Sequence, residues 1–229
     1  MPTHTADAPT GATAAAALRY PSPPAYSDRA GKAAYIATKY ASIFAGSVLD
    51  VGCDERQLAR LLPASATYLG VDMNPKADLQ CDLETGVLPF VTASFDTVIA
   101  ADVLEHLEHI HAVFDELCRV ARHRVIISLP NPIVSFLHAL AQGWTGSFKY
   151  YGLPVDRPID RHRWFFGSEE AERFIRERGM RNGLSIEQID FEDYPEPPPY
   201  FSRSGRPLTI GPTFTRGTMW AVLIKSPRP

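Results

Sequence analysis

Three carboxylates stand where short apolar runs stop: Asp50, Asp72 and Asp82. The run Ser47–Val51 leads through Asp50 to Gly52, which has no Cβ and so lets the backbone bend sharply and approach a ligand. Asp54 follows, ahead of Leu58, Leu61 and Leu62, which repeat as one helix face. Asp54 is therefore expected to cap a helix whose apolar side turns back onto a sheet. A strand–glycine–helix junction aims free backbone N–H groups and a positive dipole end at one spot, which suits an anionic group on a small ligand. Asp72 closes the next run, Tyr68–Val71, 22 positions beyond Asp50. A carboxylate at about that spacing, roughly 20 residues on, can accept hydrogen bonds from both hydroxyls of a ribose. The opening unit thus calls for a nucleoside-bearing ligand.

The elements that must position these groups alternate. Ile36, Tyr40 and Ile43 repeat at helical spacing, so a helix is expected over Ser27–Phe44, leading into the first strand. Leu79–Leu83 reads as a third strand and Phe95–Ala101 as a fourth. Val103, Leu107, Ile110, Phe114, Leu117 and Ala121 step by four and three, the mark of an amphipathic helix. Arg124–Leu129 is a fifth strand, stopped by Pro130–Asn131–Pro132. Strands alternating with helices at this spacing mean βαβ units, a parallel sheet and right-handed crossovers. Further on, Pro132–Gln142 is expected to be helical. Ser168 is expected to cap a helix through Arg178, with Ser185–Phe191 and Thr218–Lys225 as two more strands. Gly143–Phe166 is aromatic and basic without a period, and Tyr194–Thr215 is too long and proline-rich for a plain connector. Both are expected to cover a site.

The chain has 229 residues, 45% of them hydrophobic and 21% charged, enough for one sizeable core. A net charge of −3 gives no global pull toward nucleic acid or an anionic membrane. Cys53, Cys81 and Cys118 are scattered and lack metal-ligand spacing, consistent with reduced thiols and a cytoplasmic location. No apolar run approaches the roughly 18 residues of a membrane span. The first 26 residues, rich in Ala, Thr and Pro, lack the form of a secretory signal and are expected to be a disordered arm ahead of one domain at 27–229.

In order, VLDVGC, GVD, CDLE, LPFVTASFDTVIAADVLEHL and RVIISLPNP resemble the class I S-adenosylmethionine-dependent methyltransferases. With the later run Asp160–Phe166, an acid–x–His–x–aromatic–Phe pattern, the likeness is to the small-molecule branch that includes ubiquinone-biosynthesis-type O-methyltransferases. The resemblance covers about Ser27–Lys225. It implies a Rossmann-like α/β fold with a seven-stranded sheet, mostly parallel with an antiparallel last strand, and helices on both faces. It implies S-adenosyl-L-methionine as cofactor. Asp50 and Gly52 would lie under its methionine part, Asp72 would take the ribose hydroxyls, and Met73 would pack beside the adenine. Asp82 would accept from the adenine amino group, flanked by Leu83. Ala101 and Asp102 would line the place where the methyl sulfonium faces the acceptor. One departure stands out: the family usually has glycines where this chain has Asp54 and Arg56. Asp54 would be unfavourable near the cofactor's carboxylate unless it meets the amino group, and Arg56 could offset its charge.

Methyl transfer from a sulfonium is an in-line displacement, in which the protein aligns the reactants and excludes water. A hydroxyl acceptor must lose a proton, and His106 and His162 are the candidate bases. His106 could equally orient a loop, and His109 and His111 read as solvated. No metal site is expected from these three, since only His106 and His109 share a face. Arg161 and Arg163 could bind an anionic group on a substrate or pair with Asp156 and Asp160. The aromatics of 144–166 could wall a pocket for a flat or lipid-like acceptor. The expected function is methylation of a small molecule, on oxygen. A nucleic-acid methyltransferase is disfavoured because AADVLEHL stands where amino-group enzymes carry an Asn- or Asp-Pro-Pro-aromatic motif. The rival reading is a non-catalytic binding or scaffold protein with an altered cofactor loop.

Overall fold

The computed structural model describes residues 18–23, 25–141, 143, 150–158, 160–193, 204–206 and 211–225. Seven strands form one sheet: β1 (Gly46–Val51), β2 (Ala66–Asp72), β3 (Leu79–Gln80), β4 (Phe95–Ala101), β5 (Ala121–Leu129), β6 (Leu184–Asp193) and β7 (Arg216–Lys225). Their order is β3-β2-β1-β4-β5-β7-β6. β1 to β5 pair in parallel, and β7 runs antiparallel to both β5 and β6, so the expected Rossmann-like sheet with an antiparallel last strand is the one observed. The chain order reverses between β1 and β4. The connections leaving their carboxyl ends therefore diverge and open a crevice, the usual place for a ligand in such sheets.

Among the described residues, four α-helices accompany the sheet: α1 (Arg29–Lys39), α2 (Ile110–Val120), α3 (Pro132–Ala141) and α4 (Ser168–Arg181). Successive strand residues point to opposite faces, and each face has its own core. Leu49, Val98 and Val125 pack with Phe114 and Leu117 of α2 and Ile175 of α4. Val48, Ile99 and Ile126 pack with Ile36 of α1, Tyr40, Phe44 and Trp220. Strands buried on both faces need the continuous apolar runs that β1, β4 and β5 carry.

Several boundaries move. α1 is shorter than expected because Asp28 caps it, its Oδ1 accepting from Gly31 N at 2.7 Å. Gly167 rather than Ser168 is the N-cap of α4, which runs on to Arg181. The third strand is only Leu79–Gln80. The disordered arm is corrected at its near end. Tyr20 is 2% exposed; its N–H donates to Gln188 Oε1, and Gln188 Nε2 donates to its carbonyl, both at 2.9 Å. Lys39, its side chain fully buried, pairs with Asp190 and donates to Ser22 Oγ at 2.6 Å. The expectations for residues 1–17, 144–149, 194–203 and 207–210 fall outside the described residues. Among the described residues, no helix is long and apolar enough to cross a membrane.

Candidate functional site

One wall of the crevice is built by the turn after β1. Gly52 sits at φ 77°, and a Cβ there would meet Val103 Cγ2 at 2.3 Å, so only glycine lets the turn pack against the chain leaving β4. Asp54 and Arg56 also adopt left-handed backbone, at φ 48° and 60°. The loop thus keeps a shape that glycine adopts freely, at about 1 kcal/mol or more for each non-glycine residue. The expected helix does not follow. Only a 3₁₀ turn, Leu58–Arg60, forms, because the left-handed Arg56 and then Pro63 leave too few residues between them. Leu58 is buried as expected, whereas Leu61 is exposed. Asp54 caps nothing; its N–H donates instead to Asp72 Oδ2 at 2.8 Å.

Asp72 takes a second backbone N–H, from Asn74, on Oδ1 at 2.8 Å, which fixes its carboxylate at the end of β2. Asp50 lies beneath, accepting from Tyr68 Oη at 2.7 Å. Burial, with the Asp72 charge nearby, pushes the Asp50 carboxyl up to about 6 despite that hydrogen bond. Asp82 accepts from Glu84 N and caps a 3₁₀ turn that presents the buried Leu83. Met73 is exposed, on the same wall.

The opposite wall starts where β4 ends. Asp102 stands at φ 53°, bonded to Ser128 Oγ and ion-paired with Lys32 of α1 at 2.5 Å. The long helix expected from Val103 does not form as one piece. A 3₁₀ turn, Leu104–His106, comes first, and α2 begins only at Ile110. Outside donors take the carbonyls that a continuous helix would use. Arg163 N donates to Glu105 O at 2.7 Å and Trp164 Nε1 to Leu107 O at 2.8 Å.

This break turns Glu105 inward. Its side chain is fully buried, and neither carboxylate oxygen has a hydrogen-bond partner among the described residues. Burial, reinforced by the Asp102 charge, drives its carboxyl well above the usual range. His106 lies 28% exposed, its Nδ1 at 2.8 Å from Asp160 Oδ1, and burial lowers its basicity against the pull of Asp160. His162 is 8% exposed and stacks on Tyr150 at 4.1 Å. Its Nδ1 is 3.1 Å from Tyr151 Oη. The two imidazoles meet edge to face at 4.5 Å, and ligand atoms of Glu105, His106 and His162 lie within 4.8 Å of one another. Nitrogen and carboxylate donors of this kind suit a divalent cation. His106, His109 and His111 form no such group, but His106 with two other partners does, a grouping the sequence reading did not anticipate.

Every residue named above as a cofactor or catalytic candidate lines one cavity of about 1050 Å³. Three further lining residues were not foreseen: Glu105, Arg29 and Lys32. Glu105 was legible only as an acid among Val103, Leu104 and Leu107, and a helical reading placed it on the polar side. The arginines of the covering segment do not pair with Asp156 or Asp160 among the described residues; Asp160 serves His106 instead.

The chain matches the model of a methyltransferase domain family over residues 21–183. The chain belongs to this family. It has the fold of the class I methyltransferases. No curated relative matches the sequence. Similar solved structures include the magnesium protoporphyrin IX methyltransferase of Synechocystis PCC 6803 with bound SAH, 19% identical, covering 85% of this chain and 80% of that one, TM-score 0.51. An S-adenosylmethionine-dependent methyltransferase of Archaeoglobus fulgidus is 15% identical and covers 85% and 93%, TM-score 0.54. A small RNA methyltransferase is 18% identical over 86% of this chain and 25% of that one, TM-score 0.57. At these identities the likeness is one of fold. The walls present a carboxylate fixed by backbone N–H groups, an apolar side chain on the same wall and a left-handed first loop kept without its glycines, a set that would fit S-adenosylmethionine.

Proposed function

We propose that the chain transfers the methyl group of S-adenosylmethionine to a hydroxyl of a small-molecule acceptor. Bound, the cofactor supplies an electrophilic methyl on sulfur. Asp72, Met73, Asp82 and Leu83 hold its nucleoside, and Asp50, Gly52 and Asp54 border its amino-acid part. Ala101 and Asp102 face the acceptor. The observation that carries the reading is the buried centre of Glu105, His106 and His162 in the same cavity, just past Asp102. A neutral imidazole there takes the hydroxyl proton, and the Tyr150–His162 stack and the segment 150–166 exclude water. A net charge of −3 favours a small acceptor over a polynucleotide.

One observation favours a second reading of the same centre. Among the described residues Glu105 has no hydrogen-bond partner, and a divalent cation held with His106 and His162 would satisfy it and lower the pKa of the hydroxyl. The test is SAH production against phenols, catechols and short RNA, with native, chelator-stripped and metal-restored protein. Turnover on a hydroxyl compound that His162→Ala abolishes supports the proposal. Dependence on added metal selects the second reading, and product on RNA alone overturns both.

A further inference from the structure

The sequence pointed to Arg56 as the group that could offset the Asp54 charge. The structure gives Arg56 another task. Its guanidinium pairs with Asp78 at 2.8 Å and lies over the Tyr68 ring, and it is not part of the cavity wall. The cation at Asp54 is Arg29, the first residue of α1, at 2.5 Å. Both side chains line the cavity beside Gly52.

The charges define what this corner can receive. Asp50, Asp72 and Asp102 make the surrounding wall acidic, and Lys32 is already engaged by Asp102. Of the groups beside Asp54, Arg29 is the cation that a ligand carboxylate could meet. An ammonium would be welcome at Asp54. An α-amino acid carries both groups on one carbon, and an arginine–carboxylate pair offers the complementary two on one ion pair.

We propose that Arg29 and Asp54 form a clamp for the amino-acid end of the cofactor, Arg29 taking the α-carboxylate and Asp54 the α-ammonium. The inference rests on the cofactor reading above and deepens it. The pair is held ready by structure on both sides. Asp28 caps α1 immediately before Arg29. Asp54 is pinned by its own N–H on Asp72 and by Asn74 Nδ2 on its Oδ1 at 3.1 Å. The left-handed turn that glycines give the family is here made by residues with side chains, one of which does the binding. The clamp would also make α1 part of the cofactor site.

The test is calorimetric titration of the full chain with three ligands: S-adenosylmethionine, its decarboxylated form, and 5′-methylthioadenosine, which lacks the amino acid. Arg29→Gln should weaken S-adenosylmethionine roughly tenfold and leave the other two unchanged. Asp54→Asn should weaken S-adenosylmethionine and its decarboxylated form and spare 5′-methylthioadenosine. Arg29 is largely exposed, so its variant should melt like the wild type. Equal effects of Arg29→Gln on all three ligands, or no effect on any, would overturn the clamp. Wild-type protein that binds none of them would overturn the cofactor reading itself.

Discussion

The two ends of the cavity are made by different means. At the nucleoside end, polar groups are already satisfied. Both oxygens of Asp72 accept backbone N–H groups, and Asp50 accepts from Tyr68. These groups sit at the ends of neighbouring parallel strands, so the register of the sheet alone sets their spacing. At the other end, Glu105 is buried without a hydrogen-bond partner among the described residues, and His162 arrives from a segment 57 residues further along the chain. Side chains from distant stretches meet there. On the proposed reading, the first end is preorganised for a constant ligand, and the second keeps a polarity that a substrate or ion would complete.

If that contrast is right, substitutions at the two ends will separate binding from turnover. The largest effect belongs to the acceptor end. Glu105→Gln and His162→Ala should each lower kcat by roughly 10²–10⁴, while calorimetric affinity for S-adenosylhomocysteine stays within about twofold. Loss of affinity in step with kcat would merge the two ends into one. Next, Asp72→Ala should weaken S-adenosylhomocysteine by roughly a hundredfold without altering the acceptor KM in enzyme saturated with cofactor.

The smallest effect concerns stability. The Asp50 carboxyl titrates near 6 in the folded protein against 3.8 ordinarily, so the native state binds more protons than the unfolded chain between those values. Stability therefore falls as pH rises through that window, and the full penalty, on the order of 2–3 kcal/mol, applies above it. Asp50→Asn keeps an acceptor for Tyr68 and loses the buried charge. Without cofactor it should be the more stable protein at pH 7.5 by denaturant unfolding, and the difference from wild type should vanish near pH 4. A difference independent of pH would mean that Asp50 is not held ionised against its surroundings.

The strand ends that bring Asp50, Asp72 and Asp82 to one cavity were legible in the sequence because their determinants are local. An apolar run, a glycine and a carboxylate mark each strand end, and period-two burial follows from the run itself. What misled were places where tertiary contacts overrule a periodic pattern. The stripe from Val103 to Ala121 has helical spacing, yet Arg163 and Trp164 take carbonyls of its first turn and open it. The face Leu58–Leu62 has helical spacing too, yet the left-handed Arg56 and Pro63 leave it a single turn. Ala-, Thr- and Pro-rich composition gave no sign that Tyr20 is a core residue, since its partner, Gln188, lies in the sixth strand. The acceptor centre was half visible for the same reason. The imidazoles stand out by type, whereas Glu105 acquires its role only once the helix breaks.

The amide of Gln188 engages both main-chain groups of Tyr20, a side chain standing in for one rung of a ladder. That rung joins positions 168 apart, so it closes a loop of most of the chain. Loop-closure entropy delays such a contact until the strands between are in place. The arm is then expected to dock late, after the strands it spans. Helix α1 carries Arg29 and Lys32 to the cavity, so the arm and the cavity wall share one support. Hydrogen exchange at Tyr20 N–H would report on that docking.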